Sequence, residues 1–111
     1  MTNSRAKGCR GERELAAWLT ERGHPARRGQ QYSGSPDSPD VVCPSLAGLY
    51  FEVKRTERLR IHEAIDQAVN DAGKGLVPVV AYRASRKSWL AVMRLSDLMA
   101  LIQSMQEDPQ Q

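Results

Sequence analysis

The sequence predicts an α/β domain, a mixed β-sheet flanked by helices, and three observations lead to that class. Helical and strand-like periodicities follow one another in the order helix, strands, helix, strands, helix. The stretch Leu49–Arg55, LYFEVKR, has the β-branched and aromatic content of a strand with an apolar face and a charged one. A chain of 111 residues suffices for one core and not for two. A single domain over residues 1–111 is therefore expected, with a flexible basic tail at its N-terminus and a short disordered tail, QEDPQQ, at its C-terminus.

Residues up to about Lys7 read as the loose basic tail. From Arg10 to Arg22, Leu15, Ala16 and Leu19 fall at helical spacing, and Gly23 supplies a stop. Glu12, one turn before Leu15 and Ala16, is expected on the core side of this helix; Glu14 is not. A short strand can start at Ala26, Arg27 and Arg28. The Gly, Ser and Pro content of SGSPDSP, residues 33–39, marks a loop, and Asp40 opens an apolar strand, Val41–Cys43. Pro44 to Gly48 turns the chain back into LYFEVKR, so these strands are expected to form a hairpin. A helix follows over His62–Ala72, closed by Gly73 and Gly75. Strands are expected over Leu76–Tyr82 and Trp89–Met93, with Pro78 near the start of the first or on an edge. Leu95–Met105 forms the last helix.

Composition narrows the partners. No apolar run approaches the roughly 20 residues needed to span a bilayer, and the basic N-terminus lacks the apolar stretch of a secretory signal, so a cytoplasmic protein is expected. The net charge of +3 conceals an asymmetry: through Arg60 eleven Lys and Arg face seven Asp and Glu, and the remainder carries five against six. That basic excess, with a pI near 9.1, suits a polyanionic partner. A zinc site from Cys9, Cys43, His24 and His62 would need four isolated residues to converge without a CxxC or HxxxH pair. The cysteines are read as free thiols and the histidines as solvated or capping residues.

The chemistry concentrates around the hairpin. Successive strand residues point to opposite faces, so Glu52 and Lys54 share one face, either as a surface ion pair or as part of a site. Asp40 at the start of the partner strand and Glu12 on the first helix can reach the same end of the sheet. Three converging carboxylates repel one another, and a hard divalent cation, Mg²⁺ or Mn²⁺, resolves the conflict. Lys54 would then offset charge building on a phosphodiester under attack by water.

These residues also carry a resemblance. Pro39-Asp40 followed by Glu52-Val53-Lys54 is similar to the PD-(D/E)XK signature of a nuclease superfamily. With Gly11-Glu12-Arg13-Glu14 upstream and the basic and SGS segments between, the chain resembles archaeal-type Holliday junction resolvases and related phage enzymes from about Lys7 to Trp89. The resemblance implies a restriction-endonuclease-like core. It also implies Glu12, Asp40 and Glu52 as metal ligands or organisers, the Val53 carbonyl in the metal shell, and Lys54 as the catalytic lysine. SPDSPD repeats the Pro-Asp dipeptide, so Asp37 is the alternative to Asp40; a strand end is held more rigidly than a loop, which favours Asp40. Gln67 matches a position where some relatives carry a polar site residue, or takes a solvated place at the edge of the core.

Lys7, Arg10, Arg13, Arg27 and Arg28 lead into the proposed site and Arg55, Arg58 and Arg60 leave it, so these cations, with Ser33 in the loop, are candidate DNA contacts. The last helix is apolar around much of its circumference, through Leu95, Leu98, Met99, Leu101, Ile102 and Met105, which suits a homodimer surface or deep packing on the sheet. Two symmetric cuts in a four-way junction fit a two-fold dimer. A metal-dependent endonuclease for branched DNA is the leading expectation. The others are a nuclease of the same fold acting on duplex or single strands, and a DNA-binding module that does not cut.

Overall fold

The computed structural model describes residues 4–29 and 39–107 of the chain. Helix α1 spans Ser4–Glu21, α2 Ile61–Ala72 and α3 Leu95–Glu107. The strands are β1 Arg27–Arg28, β2 Val41–Val42, β3 Leu49–Arg55, β4 Val77–Arg83 and β5 Leu90–Val92, in sheet order β1-β2-β3-β4-β5. Only β3 and β4 run parallel, and α2 makes the crossover that a parallel pair requires. The sheet is therefore mixed, and β2–β3 is the expected hairpin, with Val41 opposite Phe51.

The pleat of β4 assigns its residues to two cores. On the α1 face, Phe51, Val79 and Ala81 bury against Leu15, Ala16 and Leu19, joined by Val41 and Cys43. On the other face, Ala64 and Ala68 of α2 lie i, i+4 and pack on Val80. Small side chains at those two positions let α2 lie close to the sheet. Cys9 and Cys43 are free thiols.

Pro78 is the second residue of an interior strand, opposite Tyr50 and fully buried. Its missing N–H breaks no ladder bond. Val77 donates to the Gly48 carbonyl at 2.9 Å, so the next position faces β5, and β5 pairs only from Val80 onward.

Two departures from the sequence reading affect the site. Helix α1 starts at Ser4 instead of Arg10, because Arg5, Ala6 and Lys7 are good helix formers with no breaker among them. The residues before 4 and after 107 lie outside the described ones. Helix α3 does not pack deeply on the sheet: it makes at most marginal contact with the other elements. Leu95 is 71% exposed and Met105 76%. Among the described residues, no helix is long and apolar enough to cross a membrane.

Candidate active site

Two close approaches set the positions of the acids. Gly11 lets α1 press on the end of β3, since a Cβ there would come within 2.8 Å of the Arg55 Cβ and 3.3 Å of Val53 Cγ1. Gly29 does the same at the opening of the hairpin. Its N–H donates to the Asp40 carbonyl at 2.8 Å, and a side chain on it would overlap the Pro39 carbonyl. Asp40 is thus fixed from both sides: its own N–H donates to the Phe51 carbonyl at 3.0 Å, and its Oδ2 accepts from the Val53 N–H at 2.8 Å. The strand-end position expected for Asp40 is the one observed; Asp37 and Ser33 lie outside the described residues.

Glu52 is the buried charged residue of the described core, 6% exposed. Burial is the first cause that pushes its carboxyl pKa up to about 7, and the Asp40 carboxylate is the second; Lys54 acts in the opposite direction, and Asp71 and Glu12 add to the rise. Lys54 Nζ donates to Gln67 Oε1 at 3.3 Å, so β3 and α2 hold the lysine between them. This contact brings Gln67, although exposed, to the edge of the site. Glu12 also has a raised pKa, by burial first, opposed by a hydrogen bond from Arg28 and increased by Asp40. Arg28 Nε donates to Glu12 Oε1 at 2.8 Å.

The sequence-predicted acids are therefore electrostatically coupled. As they stand, no three acidic, histidine or cysteine side chains among the described residues are gathered tightly enough to hold a metal ion. Arg28 engages Glu12, and the Val53 N–H engages Asp40. The donor chemistry nevertheless fits a hard divalent cation: carboxylate oxygens predominate, and a carboxyl raised to about 7 by burial and by its acidic neighbours is one that added positive charge would ionise.

The candidate DNA-binding cations divide. Arg10, Arg13 and Arg27 are exposed, and Arg27 donates to the Arg28 carbonyl at 3.3 Å. Lys7 lies on α1, with its side chain outside the described ones. Arg28 is engaged with Glu12. The Arg55 side chain is only 15% exposed, and its Nε donates to Glu14 Oε1 at 2.9 Å. The same oxygen lies 3.5 Å from Arg83 Nη1. Glu14, read from the sequence as facing away, is thus a clamp between α1 and the ends of two parallel strands. The signal that could have revealed it is register: Arg55 and Arg83 are paired neighbours in β3 and β4, and two adjacent guanidiniums need an acid.

With this geometry in place, comparison with known proteins is direct. The archaeal Holliday junction resolvase (Hjc) family matches residues 3–101. The solved structure of Archaeoglobus fulgidus Hjc, a Holliday junction resolvase from an archaeal hyperthermophile, superposes with a TM-score of 0.57 at 32% identity, covering 78% of this chain and 72% of that one. A comparison with curated protein sequences gives no match. The match spans α1, the whole sheet and the hairpin carrying Asp40, Glu52 and Lys54, and on that ground the chain belongs to the archaeal Holliday junction resolvase family.

Proposed function

We propose that this resolvase hydrolyses phosphodiesters of four-way DNA junctions as a homodimer, each protomer using Glu12, Asp40, Glu52 and Lys54 with Mg²⁺ or Mn²⁺. The observation that carries the reading is Glu52: a buried carboxyl raised to about 7 beside Asp40 is an unfavourable arrangement for a structural residue and a suitable one for a cation site. Asp40 and Glu52 would hold the ion, with the Val53 carbonyl and Glu12 completing or organising its shell. When bound, such an ion supplies Lewis-acid charge at the scissile phosphate and makes water more acidic.

The chain's own groups do the rest. Asp40 is oriented by the Val53 N–H, which donates to its Oδ2. Lys54, steadied by Gln67, presents an ammonium on the Glu52 face of β3, where it can offset negative charge that grows on the phosphate oxygens. Arg28 sets the position of Glu12. Arg10, Arg13 and Arg27, exposed on the approach to these acids, suit contacts to the DNA backbone without reading sequence.

The homodimer reading is supported by α3. Leu95, Leu98, Met99, Ile102 and Met105 are exposed, and among the described residues no other element makes more than marginal contact with this helix. A second copy burying this face would also supply the second site that paired cuts require.

The test is cleavage of a synthetic four-way junction beside matched linear duplex and single strands, with Mg²⁺ and with EDTA. Paired symmetric cuts confined to the junction and lost in EDTA are expected. Metal-dependent cutting of all three substrates would instead make the chain a general nuclease, and junction binding with no cutting in any divalent metal would make it a binding module.

A further inference from the structure

A groove lies on the α1 face of the sheet, apart from the acids. Trp18 and Arg22, from the end of α1, line one side; Arg83, Arg86, Lys87 and Trp89, from the end of β4 and the turn into β5, line the other, around a space of about 500 Å³. Both tryptophans of the chain stand here. The Arg22 guanidinium lies 3.9 Å from the centroid of the Trp18 ring, and that of Arg83 lies 5.9 Å from the Trp89 ring. Among the described residues, no carboxylate lines the groove. Glu21 is 3.7 Å from Arg22 with 75% of its side chain exposed, and Glu14 reaches Arg83 from the α1 interface. Arg86 and Lys87 are exposed, and among the described residues neither side chain has a partner. Arg86 has φ 63°, a left-handed position that Gly or Asn occupies with less strain, so a tight turn carries a long cation where turn geometry does not favour it.

We infer that this groove binds the sugar-phosphate backbone of a DNA duplex arm, at a place separate from the scissile phosphate. Four cations outnumber the two acids that reach them, Glu21 and Glu14, and make a field suited to phosphates. Arg22 is held by the Trp18 ring and the Trp18 carbonyl at 3.0 Å, and Arg83 by Glu14 and the Lys87 carbonyl at 2.7 Å. These two fix the walls of the groove while Arg86 and Lys87 present their charges to a phosphate. The groove is also tied to the catalytic strand: Arg83 shares Glu14 with Arg55, the residue after Lys54. A junction has several arms leaving one point, and a backbone site on the α1 face would engage an arm other than the one being cut. This inference rests on the DNA-cutting function proposed above.

The two tryptophans make the groove directly observable. The intact protein is titrated in EDTA with an uncut four-way junction and with linear duplex, binding being followed by anisotropy of labelled DNA and, separately, by tryptophan emission. The expected result is a change in emission that saturates together with binding. For Arg86→Ala/Lys87→Ala, affinity at low salt should fall about tenfold or more, and the slope of log K against log salt should lessen by about 1 to 2 units. Lys74→Ala, at an exposed residue beyond α2, serves as the control and should leave the slope unchanged. Junction binding with unaltered emission and an unaltered slope in the double variant would overturn the inference. So would an acidic peptide such as polyglutamate that changes emission at lower concentration than DNA does, since the groove would then be a protein-docking site. Failure of the wild-type chain to bind any junction by anisotropy would count against the proposed function itself.

Discussion

Glu12 and Glu14 are carboxylates of one helix, two residues apart, and they face different regions of the molecule. Glu12 meets a single arginine, Arg28, at the rim of the acid group formed with Asp40 and Glu52, where burial and like charge raise its pKa. Glu14 meets two arginines, Arg55 and Arg83, which close the ends of the parallel pair β3–β4. The first region has an excess of negative charge that the fold does not neutralise. The second is satisfied within the chain. The contrast teaches that identity of residue and position on one helix do not determine role; the charges brought opposite by the sheet do.

The largest effect that should separate the regions is on cleavage. Lys54→Ala, which removes the ammonium beside Glu52, is expected to lower single-turnover junction cutting by about 10³-fold or more, with junction binding retained. Equal loss of binding and cutting in a folded variant would mark Lys54 as structural. Next comes stability against pH. The folded pKa of Glu52 is about 7, above its ordinary 4.5, so the favourable contribution of its neutral form is complete below about 4.5 and is lost as pH rises through 7. Metal-free protein should lose on the order of 3 kcal/mol over that window, Glu52→Gln should remove most of the dependence, and Mg²⁺ should raise the denaturation midpoint more at pH 8 than at pH 5. Chemical denaturation across pH measures all three. A smaller effect, about 2 kcal/mol of destabilisation, is expected for Glu14→Gln, which leaves the mostly buried Arg55 without its carboxylate. The smallest is Arg28→Ala: under about 1 kcal/mol in stability because its pair with Glu12 is partly exposed, but with slower cutting as Glu12 loses its support.

Much of this molecule was legible in the chain. The alternation in LYFEVKR gave β3 its limits and placed Glu52 and Lys54 on one face, and the apolar spacing of Leu15, Ala16 and Leu19 located the packed stripe of α1. Local pattern sufficed there because each element reads its own periodicity. What pattern could not show depended on residues far apart in sequence. The Glu14 clamp joins α1 to residues 41 and 69 positions away, and it requires the parallel register of β3 and β4 to be known. The tryptophan groove likewise joins the end of α1 to the β4–β5 turn. The expected convergence of Glu12, Asp40 and Glu52 appears as electrostatic coupling, while the hold of Arg28 on Glu12 was hidden because a lone arginine in a basic stretch reads as a phosphate contact. Helix α3 left two packing modes open in sequence, since broad apolar coverage serves either; the structure removes deep packing on the sheet.

The most direct measurement compares Glu12→Gln with Glu14→Gln, scoring junction cleavage in Mg²⁺ per folded protein beside the unfolding free energy of each. Glu12→Gln is expected to be nearly as stable as the parent and to cut at least about 100-fold more slowly, whereas Glu14→Gln is expected to be less stable yet to cut at close to the parent rate when folded. Cutting preserved in Glu12→Gln and abolished in folded Glu14→Gln would contradict the assignment of the active site to the Glu12–Asp40–Glu52 group.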